Sequence, residues 1–232
     1  MVYYIPILTT VVTAVFFIII FRHWNRKRGA LYLFWWMLGV FFYGAGTLTE
    51  SIVTLSGWTP GLFRMWYIVG AFLGGVPLAQ GTVYLLMKRK TGHRLSAFVI
   101  LIVAVGAVLV ILTPVDATKA INHKLTGDVM EWQFIRYMTP VINLYAFVFL
   151  VGGAIYSAVK YSKDTKFRGR FWGNVLIAVG GLLPGIGGSF TKFGHTEVLY
   201  ITELAGIALI FAGYWYIRTD PAKSLYTSQQ PG

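Results

Sequence analysis

The 232-residue chain contains no cysteine, which excludes disulfides, thiol nucleophiles and cysteine metal sites. Charge is scarce as well. Asp, Glu, Lys and Arg together make up 12% of the residues against 56% hydrophobic, and mean hydropathy is +0.65. A soluble domain carries about 25% charged residues, so a soluble fold is excluded. Acidic residues are rarest, eight against twenty Lys and Arg, for a net charge of +12. No nucleophile elbow, phosphate loop or HExxH sequence is found, so the expectation leans away from an enzyme.

Long apolar runs fill the space instead. Crossing about 30 Å of hydrocarbon takes about 20 helical residues. Seven runs meet that length, near 3–21, 30–54, 61–87, 95–113, 133–160, 170–191 and 197–217. They are continuous, whereas barrel strands alternate over about ten residues, so helices are expected. The fold class is therefore all-α, a polytopic membrane protein built as a seven-transmembrane-helix bundle. The bundle occupies 1–218 and a polar tail occupies 219–232. The first run has no basic leader and no small-residue cleavage site, so it reads as a retained helix.

The basic residues fix the expected orientation. Fifteen of the twenty Lys and Arg fall in every second gap between runs or in the tail. These gaps hold Arg22, Arg26, Lys27 and Arg28, then Lys88, Arg89, Lys90 and Arg94, then Lys160, Lys163, Lys166, Arg168 and Arg170. Arg218 and Lys223 follow in the tail. Short positive loops stay cytoplasmic, so the N-terminus is expected outside and the C-terminus inside. The bilayer is then the expected partner, with anionic lipid at the basic loops and no nucleic acid needed. The expected location is the cytoplasmic (inner) membrane of a prokaryote, crossed several times.

Six tryptophans, Trp24, Trp58, Trp66, Trp132, Trp172 and Trp215, fall near span ends, as an interfacial belt requires. The loop from Pro114 to Trp132 is the longest on the outside and fits a small helix or a hairpin. Gly70-xxx-Gly74 and Gly181-xxx-Gly185 are expected to bring helix backbones together. Pro184, with glycines around it, is expected to bend the sixth helix. Pro77 and Pro140 carry the same potential.

Ionisable residues inside a span are costly and usually face the bundle interior or water. Glu203 lies about six residues into the last helix, roughly 9 Å at 1.5 Å per residue. Glu50 sits near the outer end of the second helix. Arg64 and Arg136 begin the third and fifth helices on that side, and Lys192 ends the sixth there. Glu50, Arg64, Arg136 and Glu203 are the candidate ligand-binding residues of an outward-facing polar pocket. The competing reading is ion pairing and snorkelling at helix ends. Glu203 is expected to meet a hydrogen-bond network or one of these cations. Deeper polar residues, Thr47, Thr49, Gln80, Thr82, Asn143, Asn174 and Thr202, are expected to bond between helices, and Tyr43, Tyr67, Tyr84, Tyr145, Tyr200 and Tyr214 to pack in the core or line a cavity. The histidines, His23, His93, His123 and His195, show no metal spacing, so no metal is expected. His123 and His195, with Asp116 and Glu197, could sense pH or a cation from outside.

A retinal protein needs a lysine in the middle of the seventh helix. Val198 to Ile217 has none, so no retinal Schiff base and no other cofactor is expected. The third helix ends Leu86-Met87-Lys88-Arg89-Lys90 rather than in the acidic-Arg-aromatic pattern of eukaryotic G-protein-coupled receptors. The seventh has no proline. Phe34-Trp35-Trp36 through Glu50, Leu62-Phe63-Arg64-Met65-Trp66-Tyr67, Pro77, Asn122-His123 and Gly180-Gly181-Leu182-Leu183-Pro184 are similar to another class. They resemble the N-terminal seven-transmembrane sensor domain of bacterial histidine kinases. The resemblance implies a sensing bundle. No kinase sequence follows the last helix, so the expected signal passes to a separate membrane or cytoplasmic protein. The alternatives are a non-catalytic subunit of a larger, energy-transducing complex, a small transporter or channel, and an intramembrane enzyme acting on lipids.

Overall fold

The computed structural model describes residues 2–120, 124–191 and 193–220. Among them are seven helices long and apolar enough to cross a membrane. They are α1 (Val2–Arg26), α2 (Leu31–Ser56), α3 (Pro60–Leu86), α4 (Arg89–Leu112), α5 (Gln133–Tyr161), α6 (Thr165–Thr191) and α7 (Thr196–Thr219). The polar tail expected after 219 lies, beyond Asp220, outside the described residues.

Local chemistry explains where the helices begin and end. Gly57 ends α2 in a left-handed conformation (φ 89°) that suits a residue without Cβ. Thr59 then caps α3, its hydroxyl accepting from the Leu62 N–H at 3.2 Å, with Pro60 in the first turn. At the other end of the molecule, Asp164 accepts from the Lys166 N–H at 2.9 Å, and Asp220 accepts from the Arg170 N–H at 2.8 Å. Two carboxylates thus cap the first turn of α6, where the helix dipole favours negative charge.

Sequential neighbours pack side by side, and α7 returns to α1. Helix α3 also packs against α5, which closes a ring, and α4 sits outside that ring against α3 and α5. The outer face of α4 shows the placement, since Phe98, Leu101, Val105 and Val108 are exposed apolar residues suited to lipid. One core cluster joins α1, α2, α3, α5, α6 and α7 around Phe16, Trp36, Val40 and Ile207. A second joins α3, α4 and α5 to the long loop through Phe63, Phe72, Val129 and Ile135.

Among its described residues, that loop pairs its two ends antiparallel and adds short 3-10 turns. It contains two short 3-10 turns, Ala117–Lys119 and Gly127–Val129, and a single bridge between Val115 and Met130. Leu125, Val129 and Met130 are buried, so the loop folds down as a cap on α3, α4 and α5.

The helix seams differ from the sequence expectation. The closest approach in α6 is not Gly181-xxx-Gly185: Gly181 faces Leu150 and Val151 of α5, and Gly185 meets nothing. Instead Gly173, Gly180 and Gly187, spaced seven apart, face Gly213, Gly206 and Leu199 of the antiparallel α7. A Cβ on Gly180 would sit 2.6 Å from the Gly206 carbonyl oxygen, and one on Gly187 would sit 2.8 Å from the Leu199 Cα. In α3 the expectation holds at Gly70, which lies against Gly46 of α2.

Helix conformation continues from Arg168 to Thr191 through Pro184, without a break. Gly206 leaves room for the proline ring, since a Cβ there would meet Pro184 Cδ at 3.0 Å. The irregular backbone lies in α3, where π-helical Tyr67–Phe72 and a turn at 73–75 precede Pro77, and in α5 at Phe147–Gly152.

Gly180→Ala and Gly206→Ala should each destabilise the protein, by roughly 1–3 kcal/mol for an overpacked contact. Gly185→Ala, facing open space, should change stability much less. Thermal unfolding in detergent measures this, and equal effects at all three positions would contradict the seam.

Candidate functional site

Glu50 lies roughly two helical turns from the C-terminal end of α2 and is 2% exposed. Glu203 lies at the matching depth in the antiparallel α7. Their carboxyl groups are neighbours across the α2–α7 junction. From α3, the Trp66 indole N–H donates to Glu50 Oε1 at 2.8 Å. From α2, the Tyr43 hydroxyl donates to the backbone carbonyl of Glu203 at 2.8 Å. Tyr43 and Tyr200, both buried, complete the wall. Oε2 of each glutamate is enclosed and receives no hydrogen bond from a described N–H or hydroxyl. No described Lys, Arg or His forms an ion pair with either carboxyl.

The four candidate residues therefore separate into two groups. Glu203 meets neither Arg64 nor Arg136; of the network or cation expected for it, the described residues supply polar neighbours, the Glu50 carboxyl and the Tyr43 hydroxyl on its own main chain. Lys192 lies outside the described residues. The Arg64 Nη2 donates to the Thr113 carbonyl at 3.0 Å, tying α3 to the end of α4. Arg136 forms an ion pair with Asp128 in the capping loop and donates to Gln133 Oε1 at 2.9 Å. The Asp128 carboxyl is held below the usual carboxylate range, first by the Thr126 hydroxyl and then by Arg136. Long guanidinium chains find carbonyls and an acid at loop level, where solvation is cheaper than at glutamate depth.

Trp66 was read from sequence only as a belt residue. Its position near a helix end fits a belt, and nothing in a single sequence shows which way the indole N–H points. Trp172 and Trp215 are exposed at span ends, as a belt requires.

A hydrogen-bonded network lies at the opposite end of the bundle. Gln80 of α3 donates to the Gly92 carbonyl at 2.9 Å and to Ser96 Oγ of α4 at 2.7 Å, and accepts from the Tyr145 hydroxyl of α5. The Tyr84 hydroxyl lies 3.0 Å from Ser96 Oγ and 2.8 Å from His93 Nδ1. Nearby, His23 Nδ1 of α1 and the Tyr214 hydroxyl of α7 are 2.6 Å apart. Gln80 and Thr47, which bonds Thr10 of α1 at 3.0 Å, fulfil the expectation of interhelical bonding. Thr49, Thr82, Asn174 and Thr202 bond back to carbonyls of their own helices. Asn143 is exposed. His195 pairs with Glu197 at 3.0 Å and Asp116 with Lys119 at 3.5 Å, while His123 lies outside the described residues.

These features define the class: an all-helical, multi-pass membrane protein, with a ring of helices, a capping loop, and a buried carboxyl pair between α2 and α7. No known protein family, curated protein or solved structure matches the chain.

Trp66→Phe keeps the ring but removes the donor to Glu50 Oε1. Leaving a buried acceptor unpaired costs roughly 1–3 kcal/mol. Unfolding in detergent should detect that loss, and an unchanged midpoint would show that the indole N–H does not hold Glu50.

Proposed function

We propose that this protein is a membrane-embedded receptor of the sensor type, whose outward site is the Glu50–Glu203 pair and whose signal leaves through the basic loops to a separate partner. The observation that carries the reading is the carboxyl pair itself. Buried acidic groups in a span are costly and point to function, and these two join two different helices. A ligand that changes their interaction changes how α2 and α7 sit together. Helix α7 contacts α6 along the glycine seam and α1 at Tyr214–His23. A shift of α7 is thus passed to neighbouring helices as a movement of packed bodies.

The basic loops supply the inner face. Arg170 lies over the rings of Phe167 and Tyr161, at 5.0 and 5.4 Å from their centroids. A surface hollow of about 240 Å³ beside them is lined by Asp164, Arg168, Phe171 and Trp172. Cations set among aromatic rings suit a headgroup region. With the positive-inside asymmetry, this supports an N-terminus outside and a C-terminus inside, and a partner or anionic lipid on the basic side.

Because the chain has no cysteine, single labels can be introduced cleanly. On intact cells, a membrane-impermeant thiol reagent should label Lys119→Cys and not Tyr216→Cys. With spin labels at Leu85→Cys and Tyr216→Cys, both exposed, the distance distributions in lipid nanodiscs, recorded from neutral to alkaline pH, should differ between the otherwise native chain and Glu203→Gln. Reversed labelling would overturn the orientation. Identical distributions in the native background, Glu203→Gln and Glu50→Gln would overturn the receptor reading.

A further inference from the structure

We infer that the ligand of the Glu50–Glu203 site is a single proton, held between the two carboxyl groups and exchanged with the outer side. The inference rests on the receptor reading and names the chemistry of its site. The argument starts from what faces the pair. Helix α2 supplies Tyr43, α3 supplies Trp66, and α7 supplies Tyr200, with Tyr3 of α1 close to Tyr200. The Tyr43 hydroxyl is committed to the Glu203 backbone carbonyl and the Trp66 N–H to Glu50 Oε1. No described cation pairs with either carboxyl.

Two like charges in hydrogen-bonding reach, away from water, repel strongly. Glu50 is 2% exposed, and Oε2 of each residue is enclosed without a described N–H or hydroxyl donor. One proton resolves both problems. It cancels one charge, and as a carboxyl O–H it donates to the opposite carboxylate, a short charge-assisted bond. The proton belongs to the pair rather than to either residue. A metal ion would resolve the charge but needs about six oxygen ligands when hard. No group of three or more acidic, His or Cys side chains gathers among the described residues.

The exchange is simple. A proton from outer water adds to a carboxylate oxygen, forming one O–H bond, and its departure restores the second negative charge. Glu203 is less buried than Glu50, which makes it the entry point in this account. With the proton bound, α2 and α7 are drawn together. Without it, the two carboxylates push them apart.

The test uses the full chain in lipid nanodiscs. Infrared spectroscopy should show the carbonyl stretch of a protonated carboxyl at neutral pH. That band should disappear on alkaline titration and be missing from both Glu50→Gln and Glu203→Gln. The spin-label distance between residues 85 and 216 should follow the same pH dependence, and both glutamine variants should be insensitive to pH. Should one variant fail to fold, the titration of the native chain and the other variant decide the matter. Absence of the band, its persistence in a folded variant, or a response to sodium at fixed pH in place of one to protons would overturn the inference. A distance that differs in Glu203→Gln without any band removes the proton and keeps the receptor. A band that titrates while the distance stays fixed removes the receptor and keeps the proton site.

Discussion

A carboxyl group placed between helices in an apolar bundle must find its partner on another helix, and Glu50 and Glu203 find each other. Much of the arrangement at that end of the bundle follows from this constraint. Trp66 turns its N–H inward to Glu50, which commits α3 to α2 at that level. Tyr43 reaches the main chain of α7, which fixes that helix against α2. The two arginines that could have neutralised the acids are spent in the capping loop and at the end of α4. The pair is left as a negative centre with an indole and phenols around it.

Away from its ends, the interior of the bundle is held by packing and neutral hydrogen bonds among the described residues. In lipid, apolar surface gains little from burial against another helix, so close contact and a few hydrogen bonds must hold the helices together. Gly173, Gly180 and Gly187 let α6 and α7 approach backbone to backbone, and Gly46 with Gly70 does the same for α2 and α3. Gln80 joins three helices at the opposite end. The carboxyl pair at one end of the bundle and the Gln80 network at the other are separated by core residues such as Phe16, Val40 and Ile207.

Much of this architecture could be read from the sequence. Run length and continuity identified the seven helices, because a span must be long and apolar whatever it packs against. The ends were read less well. Helix α4 begins at Arg89, where hydropathy suggested 95, and α1 runs on to Arg26. Basic residues in an interfacial turn remain helical while their side chains reach water, and a hydropathy window stops short of them. The seam of α6 was misplaced because the four-residue spacing of Gly181 and Gly185 was read, whereas antiparallel packing selected the seven-residue series. Pro184 looked like a bend in sequence. Its partner notch at Gly206 belongs to a different helix and is invisible along the chain. Glu50 and Glu203 were recognisable as costly groups, and their similar depth could be estimated. That they face each other depends on the rotation of α2 and α7, which one sequence does not encode legibly.

The central claim is that Glu50 and Glu203 act as one unit across the α2–α7 junction. A double-mutant cycle in unfolding free energy tests it most directly, with Glu50→Gln, Glu203→Gln and the double variant compared in the same detergent. Residues in contact couple by about 0.5–3 kcal/mol, while independent sites add to within about 0.3–0.5 kcal/mol. The account predicts a coupling in the first range. Additive effects of the two substitutions would contradict it.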